Sequence, residues 1–188
     1  MQTQDSTILC NSGTRFDLIN PAIEDIKIQD IAMSLSRICR YGGHCDNFYS
    51  VAQHSILVSR IVPPHLALEG LLHDAAEAYV GDIVAPLKQF LPDYKLIEKN
   101  IEKVIALKYN LDITEAALKV VKTADLIMLL TEKRDLFDKE SPQWYASIPF
   151  LKDLKPLRER INPVDSTVAM GLFIARFNQL IKERDANC

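Results

Sequence analysis

From residue 28 onward the apolar residues recur at helical spacing, and little else in the chain limits the fold so tightly. Ile28, Ile31, Ala32, Leu35 and Ile38 form the first stripe, which Gly42-Gly43 breaks. Ser50 and Gln53 make a capping-box pair ahead of an apolar-faced helix through Ile61, closed by Pro63-Pro64. A third helix, rich in Ala and Leu, is expected from about His65 to Val80 and stops at Gly81. A short piece around Pro86–Leu91 ends at Pro92, and Tyr94–Tyr109 carries Leu96, Ile97, Ile101, Val104, Ile105 and Leu107. Asp112 with Glu115 can cap the next helix, which runs to about Phe137; a final helix spans about Ser166–Lys182. Between them, residues 139–164 hold four of the nine prolines and the only Trp. That stretch reads as a long loop, with Trp144 anchoring it or an oligomer contact. Ahead of the helices, Ile8-Leu9-Cys10 and Arg15-Phe16-Asp17 flank the turn signal Asn11-Ser12-Gly13 and read as irregular or hairpin structure. The expected fold is all-α, a helical bundle with a short N-terminal hairpin.

At 188 residues the chain favours a single domain over its whole length, 1–188. Its net charge of −3, from 25 acidic against 22 basic residues, argues against duplex nucleic acid as a main partner. Six glycines leave little room for a glycine-rich phosphate loop. The cysteines at 10, 39, 45 and 188 contain no C-x-x-C pair and read as free thiols of a cytosolic protein. Met1–Ser6 lacks the basic and apolar regions of a signal peptide, and no apolar run approaches the roughly 20 residues that span a bilayer. The expectation is a soluble, cytoplasmic protein without membrane contact.

The chemistry concentrates in Leu71-Leu72-His73-Asp74-Ala75-Ala76-Glu77-Ala78, where His, Asp and Glu interrupt a small, apolar helix. His73 and Glu77 are four apart and share a face in an α-helix, with Asp74 one step round. Burying these carboxylates costs several kcal/mol each unless a cation or strong donors compensate. Asp125 lies in the apolar stretch Val120–Leu130 and is expected to point inward; the alternatives are a solvated kink in the helix or an ion pair with a nearby Lys or Arg, against which Lys122, the only close basic neighbour, has a use of its own. His54 falls in the first turns of the helix capped by Ser50, a position where a histidine is a core residue or a ligand. Two imidazoles and two carboxylates from three helices suit a catalytic divalent metal with open positions, and fit poorly a closed structural zinc site.

The order His…His-Asp…Asp on successive helices resembles the HD-domain metal-dependent phosphohydrolases. The likeness extends to Arg40–His44, Phe48–Ser55, His73–Tyr79 and Gly81–Lys88, which are similar to the small nucleotidase branch of that family. That branch holds bacterial 5′-deoxynucleotidases and phage deoxynucleoside triphosphohydrolases, among them dATP-specific enzymes. The wording Tyr49-Ser50-Val51-Ala52-Gln53-His54 is nearer the phage forms, and the likeness covers roughly residues 14–135. It implies that His54, His73, Asp74 and Asp125 bind a divalent metal (Zn, Co, Mn or Mg). Glu77 would position or deprotonate the attacking water, and Asp82 would assist through that water or contact the sugar. Arg40 and Lys88 would hold phosphate oxygens, and Pro86 would lie at the substrate. Tyr41 stands where the family often has an aromatic residue, commonly Trp, beside the sugar or base. The resemblance also implies a homo-oligomer, a dimer or hexamer, and a small nucleotide as substrate.

The chemistry agrees with that assignment. A phosphoester needs charge neutralisation, a nucleophilic water and in-line placement. Arg40 offers bidentate donors to phosphate and Lys88 a point charge. The alternatives are a helix-end cation at Arg40, a cap or turn at Asp82, a surface lysine at Lys88 and a packing role for Tyr41. His44, Cys45 and His65 read as structural. The expected activity is a dNTP triphosphohydrolase favouring dATP and releasing deoxynucleoside and triphosphate. The alternatives are a 5′-deoxynucleotidase, and a non-catalytic nucleotide-binding module.

Overall fold

The computed structural model describes residues 5–137, 151 and 153–186. Strands β1 (Thr7–Leu9) and β2 (Arg15–Asp17) pair antiparallel with Ile8 opposite Phe16. Phe16 is fully buried and stacks on Tyr79 at a centroid distance of 3.9 Å, which pins the hairpin to the helices. The helices are α1 (Ile28–Arg37), α2 (Val51–Ile61), α3 (Ala67–Leu72), α4 (Glu77–Val80), α5 (Ala85–Lys88), α6 (Pro92–Tyr109), α7 (Glu115–Asp135) and α8 (Ser166–Ala186). The described chain is thus mostly helical with one small antiparallel hairpin, as the apolar spacing predicts.

Helix α2 lies at the centre and packs on α1, α3, α7 and α8. It is buried nearly all round, including His54, Ser55 and Ser59, so it presents a histidine to neighbours rather than to water. Against α3 it runs very close. A Cβ at Gly70 would stand 3.1 Å from the Ser59 Cα, a separation that only glycine permits without movement. No helix among the described residues is long and apolar enough to cross a membrane.

Several local expectations need correcting. The third helix is not continuous over His65–Val80. A 3₁₀ turn at Pro64–Leu66 leads into α3, and residues 73–76 then form tight turns before α4. The amides of Ala75, Glu77 and Ala78 bond to carbonyls three residues back, while the Gly70 carbonyl accepts the His73 ring N–H. Winding at about three residues per turn carries position 77 off the face of position 73, so His73 and Glu77 do not stack as an α-helix would place them. The Ser50 half of the capping box forms, its hydroxyl accepting the Gln53 N–H. The Gln53 side chain instead donates to the Asn162 carbonyl and accepts the Val164 N–H, tying the segment before α8 to α2. Thr114, not Asp112, caps α7, and Asp112 accepts the Thr114 N–H one step earlier. Arg40 does not end a helix. It opens a 3₁₀ turn, Arg40–Gly43, after the extended pair Ile38-Cys39, and the backbone at 38–40 bridges to Tyr49–Val51. Trp144 and most of the 139–164 loop lie outside the described residues.

Candidate metal centre

Three stretches of chain supply the centre. His54 projects from α2 one turn after its Ser50 cap, His73 and Asp74 come from the tightened turn after α3, and Asp125 comes from the middle of α7. The ligand atoms of His54, His73 and Asp74 all lie within 4.8 Å of one another, a cluster that could hold a metal ion. The two Nε2 atoms are 3.3 Å apart. Asp74 Oδ2 is 3.1 Å from His73 Nε2 and 3.6 Å from His54 Nε2. Asp125 Oδ1 is 3.3 Å from His54 Nε2. Ligands sharing one first-row divalent cation, with bonds of about 2.1 Å, stand roughly 3.0–3.4 Å from each other. His54, His73 and Asp74 therefore suit such an ion in spacing as well as in chemistry, whereas Asp125 meets only His54 of the three and lies outside that cluster.

The second ring nitrogens decide which way the lone pairs face. His73 Nδ1 is 2.9 Å from the Gly70 carbonyl oxygen, which can only accept, so Nδ1 carries the hydrogen and Nε2 is bare. His54 Nδ1 donates to Glu132 Oε1 at 2.6 Å, leaving its Nε2 as the free donor atom. A carbonyl or carboxylate behind each imidazole is the usual support of a metal-binding histidine. With no cation in the cluster, burial and Arg40 work against charge on His54. Glu132 and Asp125 outweigh them and raise its pKa to about 9. Burial would likewise raise Asp74, yet His73 and His54 hold its carboxyl well below the usual range. Asp125 is lowered against burial by its bond to His54. Its other oxygen accepts from Lys122 at 2.7 Å, so the ion pair that the sequence argues against is present, and only Oδ1 faces His54.

Glu132 is the residue that sequence reasoning does not single out. It is fully buried and accepts from His54 Nδ1, from the Tyr41 hydroxyl and from the Arg40 guanidinium at 3.2 Å. Burial opposes its charge, but Arg40 and His54 lower its pKa to about 2. The available signal is spacing. Glu132 is seven residues beyond Asp125, two turns along the same face of α7.

Arg40 reaches the cluster as expected, with NH1 3.6 Å from Asp74 Oδ2 and its side chain 13% exposed. Tyr41 adjoins it at φ 57, a left-handed conformation rare for an aromatic residue. Its hydroxyl is committed to Glu132, its ring meets Phe137 edge-on, and the Lys133 ammonium lies 4.6 Å from its centroid. Glu77 is buried, and its Oε2 has no hydrogen-bond partner among the described residues. Burial, then Asp74 and Asp82, push its pKa up to about 10. Asp82 is half-buried and raised by burial, within electrostatic reach of Arg40 and Asp74. Lys88 is turned to Glu98 at 2.6 Å, and Pro86 is exposed on the same short helix with no side-chain contact recorded to the cluster. His44 and His65 are exposed and stand apart from the cluster.

Fold and site together define a helical protein with a candidate His/Asp metal centre. No protein-family profile matches the chain. The chain is 49% identical over 177 residues to the uncharacterized protein YfdR of Escherichia coli (strain K12), spanning 92% of this chain and 94% of that one. It is 32% identical over 137 residues to an uncharacterized protein of Rhodobacter capsulatus, spanning 66% of this chain and 70% of that one. The protein belongs to the same family as YfdR.

Proposed function

We propose that this protein is an HD-domain phosphohydrolase acting on deoxynucleotides, and that it cleaves dATP to deoxyadenosine and triphosphate. The observation that carries the reading is the convergence beside Arg40 of the Nε2 atoms of His54 and His73 and one oxygen of Asp74, with an oxygen of Asp125 3.3 Å from His54 Nε2. A divalent cation held by these residues would neutralise phosphate oxygens and acidify a water.

The chain's own residues supply the rest. Arg40, fixed from behind by Glu132, presents its remaining N–H groups to phosphate oxygens. Burial, with the charges of Asp74 and Asp82, outweighs Arg40 and Lys88 and keeps Glu77 protonated at neutral pH. Added positive charge at the cluster offsets those aspartates, and Glu77 can then take the proton of the attacking water. Water oxygen bonds to the α-phosphorus, the bond to the 5′-oxygen breaks, and the proton passes through Glu77 to that oxygen. Asp82, within electrostatic reach of Asp74 and Arg40, would hold the same water or the sugar, and Lys88 would lend its charge. The exposed apolar residues Val84, Leu87, Phe90 and Leu96 favour a homo-oligomer.

The test is incubation of metal-loaded protein with each dNTP and dNMP, with products separated by chromatography. Triphosphate release, greatest from dATP, is the expected result. Phosphate release from dNMPs would make the protein a 5′-deoxynucleotidase, and nucleotide binding without turnover would make it a non-catalytic module. Asp74→Ala should lose both metal and turnover while staying folded, whereas Glu77→Ala should keep metal and lose turnover.

A further inference from the structure

We propose that Cys39 and Cys45 are a thiol-modification site, a pair that closes to a reversible disulfide across the turn carrying Arg40 and Tyr41. The co-reactant is a low-molecular-weight disulfide of the glutathione class. Neither the pairing nor its test depends on the proposed hydrolysis.

Both cysteines are free and half-buried. Between them the chain makes the 3₁₀ turn Arg40–Gly43 and comes back on itself, the His44 N–H bonding to the Tyr41 carbonyl. The Cys45 sulfur ends 4.0 Å from the carbonyl oxygen of Arg40, the residue beside Cys39. That return sets one thiol against the other. Burial, then the charge and side-chain hydrogen bond of Cys39, push the Cys45 pKa up to about 11. A hydrogen bond between thiols is a weak interaction that needs the sulfurs in contact. Cys10 is shifted instead by burial, Asp30, Asp25 and Lys27, none of them a thiol.

The ends of the turn are anchored and its tip is free to give. Cys39 bridges to Ser50, and the Asp46 N–H bonds to the Leu136 carbonyl. Gly42 and Gly43 are exposed in left-handed conformations, and nothing stands within 4 Å of where a Gly43 Cβ would lie. The tip can therefore take up the small movement that brings two neighbouring sulfurs to bonding distance. The closed ring would contain Arg40 and Tyr41, whose side chains both donate to Glu132. The state of the thiols thus bears on the backbone from which Arg40 reaches the metal centre.

The exchange balances in two steps. One cysteine, as thiolate, attacks a sulfur of oxidised glutathione, forms a mixed disulfide and expels a first glutathione. The other then attacks the protein sulfur of that mixed disulfide, forms the Cys39–Cys45 bond and expels a second. The two thiol protons leave on the two glutathione molecules.

The test is equilibration of the full chain in glutathione buffers of graded ratio, followed by alkylation and tryptic mass mapping. Cleavage after Arg37, Arg40 and Arg60 puts the cysteines on separate peptides, 38–40 and 41–60, so the disulfide appears as one linked species. In native protein the linked species should replace both alkylated peptides. Half-oxidation should need about tenfold less oxidised glutathione, at fixed reduced glutathione, than in urea-unfolded chain. By reciprocity the bond then favours the folded state by the same factor, so oxidised protein should melt higher than reduced, and dithiothreitol should reverse the rise. Cys45→Ser should lose the linked species and melt alike in both buffers. Linkage of Cys39 or Cys45 to Cys10 or Cys188, glutathione adducts without the linked pair, or a pair formed no more readily in native than in unfolded chain would each overturn the site.

Discussion

Glu132 receives a guanidinium, a phenol and an imidazole, and water reaches none of its side chain. A buried carboxylate with this many donors stays charged, and its charge fixes both His54 and Arg40. Glu132→Gln keeps the shape, removes the charge and points an NH₂ group at neighbours that are themselves donors. The expected result is a stability loss of about 3–5 kcal/mol by denaturant unfolding, and metal affinity about 10–100-fold lower by titration. An affinity within twofold of wild type would show that His54 is oriented without Glu132. The candidate site was legible in the sequence because His73, Asp74 and Asp125 interrupt apolar helices, where each would be costly unless it had a use. Glu132 breaks its helix in the same way. Its meaning, however, lies in Arg40, 92 residues earlier, and no local pattern marks that pairing.

Helices α2 and α3 meet at Gly70, and this contact sets how near His54 and His73 can come. A Cβ there would lie 3.0 Å from Val62 Cγ2 and 3.1 Å from Ser59 Cα, and the second of these atoms is backbone. Gly70→Ala therefore forces the helices apart, at a cost of about 1–3 kcal/mol. Its better helix propensity returns about 1 kcal/mol. The variant should melt lower than wild type and bind metal more weakly, because the 3.3 Å approach of the two Nε2 atoms is lost. Unchanged melting and unchanged metal titration would mean that the helix pair is not the element that sets the site. Apolar spacing located most of these elements, since a buried stripe needs no distant partner to be recognised. It did not show the tightening after Leu72, where the His73 ring donates to a backbone carbonyl and the amides of Ala75, Glu77 and Ala78 bond three back. Nor did it show Gln53 leaving its capping role to hold the chain at Asn162 and Val164.

Across the whole molecule, the candidate centre joins α2, the α3–α4 turn and α7, which enter at residues 54, 73–74 and 125. A cation bound by all three ties together segments that otherwise meet through packing and the Glu132 network. A ligand that binds the folded chain alone stabilises it by about 2.7 kcal/mol at a hundredfold excess over Kd. For a chain of this length that corresponds to roughly 5–10 °C in Tm. Mn, Co or Zn added to EDTA-treated protein should raise the melting point by that order, and EDTA should reverse it. Asp125→Asn should remove most of the rise while leaving the metal-free protein folded. Its Lys122 partner is 67% exposed and can turn to water. A melting point indifferent to every one of these ions, with Asp125→Asn indistinguishable from wild type, would leave His73, Asp74 and Asp125 to share the His54 proton alone. The centre would then be a buried ion-pair network serving the fold.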